Sequence, residues 1–190
     1  MAPAVYTPRR AFLRYDVPRA RAMPMKKPGI AVDIPGFGFR HFRILVSDFT
    51  GTLSFNGHLT AGVRPALAAL GKQLDVYVIT ADTFGTVRRA LSRLPLEIHH
   101  LSGPGGRHDR EKRAFLRRFD LPSVAALGNG NLDSLMLRAV SRAGGLAIAV
   151  DNGEGCAADA IRSANLFISG ASNALALLLN PRRLKATLRS

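Results

Sequence analysis

The sequence predicts an α/β fold, a mainly parallel sheet covered by helices on both faces. Three observations predict it. Short apolar runs of strand length alternate with segments whose apolar residues recur at helical spacing. The runs are apolar at nearly every position, as in strands buried on both sides. Their ends carry Asp48, Thr80 and Gly128, at the carboxyl rim where open sheets of this class gather ligands.

Taken in order, residues 1–28 are broken by Pro3, Pro8, Pro18, Pro24 and Pro28 and read as a basic arm. The remainder, 29–190, reads as one domain. GIAVDIPGFGF (29–39) predicts a short strand turned by Pro35-Gly36, and FRILVS (42–47) a buried strand. In 62–74, Val63, Leu67, Leu70 and Leu74 mark a helix. VYVIT (76–80) is a second buried strand, 84–94 a helix ended by Pro95, LEIHHL (96–101) a strand and GPGGR (103–107) a loop. A charged helix covers 108–119 and VAAL (124–127) is a strand. In 131–143, Leu132, Leu135, Met136, Ala139 and Val140 mark one helical face. LAIAV (146–150) is a strand, 157–164 a helix, LFI (166–168) a short strand, and 172–188 is helical around Pro181.

Bulk properties exclude several classes. The 190 residues are 47% hydrophobic, enough for a real core. No apolar run approaches the roughly 20 residues of a membrane span, and the broken N-terminus lacks the apolar stretch of a secretory signal. One cysteine, Cys156, precludes an intrachain disulfide and suits a reducing, cytoplasmic setting. The net charge is +14, half of it in residues 1–43, where nine Lys/Arg face Asp16 and Asp33. Such an arm could touch nucleic acid or an anionic membrane. It could equally be a solvated tail, or a start extended beyond Met25.

The strand ends carry the chemistry. The strand at 42–47 delivers Asp48, that at 76–80 delivers Thr80, and that at 124–127 delivers Gly128, Asn129, Gly130 and Asp133. The helix before the last of these carries Lys112. Glycines after two strands, Gly51 and Gly128, would let backbone amides approach a small anion. A carboxylate to attack phosphorus, a hydroxyl and an ammonium to hold its oxygens, and carboxylates for Mg²⁺ suit phosphoryl transfer.

DFTGTL, the T-A-D-T after the second of these strands, the lysine and G-N-G-N-L-D resemble, in order, the four motifs of the haloacid dehalogenase superfamily, from about residue 29 to 189. D-x-T-G-T more narrowly resembles the phosphorylation motif of P-type ATPases, so the chain looks like the P-type-ATPase-like phosphatases that lack a membrane part. The resemblance implies a Rossmann-like core and Asp48 as nucleophile. It implies Mg²⁺ bound by Asp48 and the Thr50 carbonyl, the phosphoryl group held by Thr80 and Lys112, and Asp133 organising the metal. Arg110 and Arg113 are rivals to Lys112 from the sequence alone. Asp82 or Thr83 caps the following helix, Asp133 could cap the helix at 131–143, and Glu154 could line the rim. His99, His100 and His108 read as structural or exposed.

Two positions depart from the family pattern. Thr50 stands where most such phosphatases carry an acid/base aspartate, and a hydroxyl has no useful acidity near neutrality. Asn129 replaces a metal-binding aspartate, though its amide oxygen is still a ligand type for Mg²⁺. Thirty-two positions separate Asp48 from Thr80, and thirty-two separate Thr80 from Lys112, so neither interval has room for a cap domain. The expectation is an open site for a phosphorylated substrate, with cover from a second copy where cover is needed. The activity expected is a Mg²⁺-dependent phosphatase working through an aspartyl-phosphate. The alternatives are a catalytically weak phospho-acceptor or regulatory module, and a domain tethered by its basic arm.

Overall fold

The computed structural model of the chain describes residues 27–82, 85–102 and 105–190. The expected arm, apart from its last two residues, lies outside the described residues, as does Thr83. Strands β1 (Ile30–Ile34) and β2 (Gly38–Phe42) pair antiparallel as a hairpin. Burial alternates along β1, the pattern of a ribbon covered on one face. The single strand expected at 29–39 is thus two strands, and Phe42 ends the second of them. Arg43 leaves that register to donate its N–H to the Ser123 carbonyl at 2.9 Å, so the next strand, β3 (Ile44–Asp48), starts later than expected and runs one residue further. All five of its residues are buried.

A small hairpin follows, β4 (Ser54–Phe55) and β5 (His58–Leu59). Asn56 and Gly57 turn it with φ of 49° and 77°, the double positive φ that matches strand twist in two-residue hairpins. Helix α1 (Val63–Leu70) buries Val63, Leu67 and Leu70. Then come β6 (Asp75–Thr80) and α2 (Val87–Ala90), a single turn where a longer helix was expected. Gly85 and Arg93 adopt φ of 64° on either side of it, which helical backbone does not tolerate. Strand β7 (Glu97–His100) leads to α3 (His108–Phe115), β8 (Val124–Gly128), α4 (Ser134–Arg142) and β9 (Leu146–Asp151). The chain ends through α5 (Ala158–Ser163), β10 (Leu166–Ser169), α6 (Ala171–Leu178) and α7 (Pro181–Leu188). The helical stretch expected around Pro181 splits there, because proline suits a first turn and Asn180 caps it by accepting from the Arg183 N–H at 3.2 Å.

Six strands form one parallel sheet in the order β10-β9-β8-β3-β6-β7. The chain moves outward from β3 to β6 and β7, then crosses back to β8 and proceeds the other way. The switch point is therefore between β3 and β8, the crevice in which doubly wound sheets bind ligands. Leu45 packs into the core that holds α1, α6 and α7, whereas Ile44 and Val46 pack into the core under α3, α4 and α5. The β1–β2 hairpin joins the first core, resting on α7, and the Ser190 N–H donates to Pro35 O at 3.2 Å. Among the described residues no domain is inserted between Asp48 and Lys112, and no helix is long and apolar enough to cross a membrane.

The central strand should be intolerant of truncation. Leu45→Ala removes a fully buried side chain from it and is expected to cost about 2–5 kcal/mol, read as a lower urea midpoint.

Candidate active site

The rim of the sheet at the β3/β8 switch point opens into a cavity of about 340 Å³. Asp48, Thr50, Thr80, Lys112, Asn129 and Asp133 all line it, and so does Gly130. The residues picked out at four separate strand or helix ends thus face one space.

Asp48 sits at the end of β3, where the sheet and both helical layers keep it 6% exposed. Lys112 enters from α3 with its Nζ 2.6 Å from Asp48 Oδ1 and 2.7 Å from Asp133 Oδ1. This selects it over Arg110 and Arg113, both of which are exposed. Burial pushes the Asp48 carboxyl up to about 6, with the Lys112 ammonium pulling against that rise and Asp133 adding to it. Burial alone would lower Lys112, but the two carboxylates outweigh it and hold the ammonium above the usual lysine range. Asp133 is fully engaged. Its Oδ1 takes the lysine, and its Oδ2 accepts the N–H groups of Asn129 and Gly130 at 3.0 and 2.9 Å. It therefore reaches back to organise the loop after β8.

Thr80 Oγ1 accepts the Asp82 N–H at 2.9 Å, which leaves its hydroxyl proton to donate into the cavity. Asp82 in turn accepts from Thr86 N and Val87 N at 2.9 and 3.1 Å and caps α2, as its position suggests. Thr52 is a site residue that sequence reasoning passed over. Its buried hydroxyl lies 3.2 Å from Asp48 Oδ2 and 3.0 Å from Asn129 Oδ1. It stands at the second threonine of DFTGT, and that spacing was the available signal. His108, partly exposed, and Leu101 also line the cavity. Glu154 is at the rim, accepting the Asn56 N–H at 2.6 Å and so tying the β4–β5 hairpin to the loop after β9. His99 is structural, its ring centroid 4.6 Å from that of Phe115. Cys156 is free and half-buried, and burial pushes its thiol up.

The two glycines serve clearance. Gly51 has φ of 74°, and a Cβ there would lie 2.4 Å from Asn129 Nδ2. A Cβ on Gly128 would lie 2.5 Å from Asp133 Cβ. Both sit behind the cavity lining and let a functional side chain pass.

The side-chain atoms placed to hold a cation beside Asp48 are oxygens. Asp48 Oδ2 and Asn129 Oδ1 converge on one threonine hydroxyl, and the Asn129 amide is oriented by Nδ2 donating to Gly155 O at 3.3 Å. With the backbone carbonyl of the cavity-lining Thr50, this set fits a hard divalent ion such as Mg²⁺. Among the described residues no three His, Cys, Asp or Glu side chains cluster as metal ligands, so the set here depends on an amide and a backbone oxygen beside Asp48.

No family model matches the chain. Over 66 residues, 35% of this chain and 67% of the other, it is 41% identical to an uncharacterised protein of Methanocaldococcus jannaschii, and the two belong to one family. Among solved structures it is similar to the 3-deoxy-D-manno-octulosonate 8-phosphate phosphatase of Moraxella catarrhalis, in complex with magnesium ion, phosphate ion and a KDO molecule. The TM-score is 0.58 and the identity 16%, covering 77% of this chain and 90% of that one. The cobalt-bound deoxy-D-mannose-octulosonate 8-phosphate phosphatase of Haemophilus influenzae gives 0.57 and 12%, with 78% and 94% covered. A haloacid dehalogenase-like hydrolase of Streptococcus pneumoniae gives 0.54 and 11%, with 73% and 99% covered.

The clearance at Gly128 is testable. Gly128→Ala is expected to destabilise the fold by about 1–3 kcal/mol through overpacking against Asp133, measured as a fall in Tm.

Proposed function

We propose that this chain, which has the haloacid dehalogenase fold of those phosphatases, is a phosphohydrolase acting through an aspartyl-phosphate on Asp48. One observation carries the reading: Asp48 and Asp133 share the Lys112 ammonium, at 2.6 and 2.7 Å, at the switch point of the sheet beside Thr80. Carboxylate, ammonium and hydroxyl together match what phosphoryl transfer needs: a nucleophile, and donors for the equatorial oxygens.

The residues divide the work as follows. Asp48 attacks phosphorus from the sheet side. Lys112 keeps that carboxylate ionised and oriented and offers its remaining N–H to a phosphoryl oxygen. Thr80 donates its hydroxyl to another. Asp133 holds Lys112 and the loop after β8 in place. Asp48, the Thr50 carbonyl and Asn129 would hold Mg²⁺, with Asp133 one step behind them, and the ion would supply charge neutralisation for the phosphoryl group.

The substrate is a phosphate monoester or acyl phosphate. The sugar-acid phosphate named for the Moraxella and Haemophilus enzymes favours the ester. With no cap between Asp48 and Lys112 among the described residues, the mouth suits a bulky substrate or a second copy as cover. Residues 1–28 form a separate segment in this reading, and the single Cys156 suits a cytoplasmic protein. Thr50 favours a second reading, a phospho-acceptor with weak turnover, because its hydroxyl cannot activate water.

Two variants test the proposal. Asp48→Asn is expected to lower Mg²⁺-dependent phosphatase activity by on the order of 10⁴–10⁶-fold with the circular dichroism spectrum unchanged. Full activity in the pure variant rejects the covalent route, and hydroxylamine-labile phosphate on wild-type Asp48 without turnover selects the second reading. Asn129→Asp is expected to tighten Mg²⁺ binding in calorimetry. It also loses the bond to Gly155 O, so it should melt about 1 kcal/mol less stably without metal.

A further inference from the structure

We propose that His108 is the general acid and base of this site, supplying the proton transfers that Thr50 cannot. The inference rests on the phosphohydrolase reading and adds a catalytic residue to it. Displacement at phosphorus leaves an alkoxide, which needs a proton, and the second step needs a water stripped of one. The titratable side chains lining the cavity are few: Asp48, Lys112, Asp133, His108 and Glu154. Asp48 is the nucleophile. Lys112 and Asp133 are locked in one buried ion pair. Glu154 is exposed at the outer rim. Imidazole is the side-chain type that both gives and takes protons near neutrality.

Position supports the same choice. His108 and Lys112 are four residues apart on α3, so they share a helix face and both line the cavity. Strand β7 ends at the carboxyl rim and β8 begins at the opposite edge, so α3 starts at the rim and descends beside the sheet. Lys112 meets Asp48, and His108 stands about 6 Å further up the axis, one turn toward the mouth. An in-line attack by Asp48 from the sheet side puts the leaving oxygen on that mouth side.

The proton balance closes. In the first step an Asp48 oxygen bonds to phosphorus and the phosphorus–ester oxygen bond breaks. Its electron pair stays on the leaving oxygen, which takes a proton from the His108 imidazolium. In the second step a water oxygen attacks the same phosphorus and gives a proton to the neutral imidazole. The bond to Asp48 then breaks, releasing phosphate and restoring the carboxylate and the imidazolium.

The experiment compares His108→Gln and Glu154→Gln with wild type by rapid quench, using acetyl phosphate and a simple alkyl phosphate as donors. Acetate leaves without a proton, so His108→Gln should form aspartyl-phosphate from acetyl phosphate at the wild-type rate, which also shows that it is folded. Phosphorylation from the alkyl ester, and hydrolysis of the aspartyl-phosphate, should each slow by about 10²–10⁴-fold. Added imidazole should restore part of the loss in His108→Ala. Equal effects on both donors, no effect on either, or the donor-selective loss appearing in Glu154→Gln instead would overturn the role of His108. Absence of phospho-Asp48 in the wild type with every donor would overturn the phosphohydrolase reading itself.

Discussion

A single buried ammonium organises the rim. Lys112 lies between Asp48 and Asp133 at 2.6 and 2.7 Å, with all three side chains almost closed to solvent. Without it, two carboxylates would face each other in a low-dielectric crevice, where like charges cannot both stay ionised. Deleting one partner from a buried ion pair costs about 3–5 kcal/mol in general, so the triad constrains the fold as much as it serves the chemistry. It joins the end of β3, helix α3 and the loop after β8.

Around that ion pair the backbone is shaped to let side chains through. Gly51 passes within reach of Asn129 and Gly128 passes under Asp133, at separations that any Cβ would violate. Thr52 then fastens the turn after β3 to the loop after β8 by standing between Asp48 and Asn129. The same hydroxyl orients both oxygens that a cation would use. Asparagine at position 129 suits this arrangement, because its amide nitrogen donates to Gly155 O while its oxygen accepts from the Thr52 hydroxyl.

Much of this was legible in the sequence. Strands β3, β6, β8 and β9 are continuous apolar runs, and burial on both faces writes itself that way. The cavity residues were legible because strand ends are marked by abrupt changes from aliphatic to polar or glycine. What escaped notice depended on distance or shortness. Strands of two residues, such as β4 and β5, carry no periodicity to read, although Asn56-Gly57 was a usable signal. The β1–β2 hairpin was hidden because Phe42 and Ile44 look like one apolar run, and only the pairing of Arg43 with Ser123, far along the chain, separates them. The contact of Thr52 with Asn129 spans 77 positions, beyond any local pattern. In α3 the run RHDREKR left Lys112, Arg110 and Arg113 as rivals, and only burial between two carboxylates singles out the lysine.

The strand order also bears on how the molecule is made. Asp48 ends the first strand of the parallel sheet to be synthesised, yet that strand becomes the central one, and Ile44 pairs with Val124. At about 5–20 residues per second, several seconds of translation pass before β8 exists to flank it. During that interval β3 has β6 on one side and an unpaired edge on the other, apolar over Ile44–Val46, the kind of edge that recruits foreign strands. Lys112 emerges twelve residues before Val124 and Asp133 nine after it. The nascent chain therefore holds an uncompensated lysine and aspartate until the second half of the sheet docks. Docking of β8 seals the aggregation-prone edge and completes the charge balance in the same event, so a chain that has finished its site has also passed its most hazardous stage of folding.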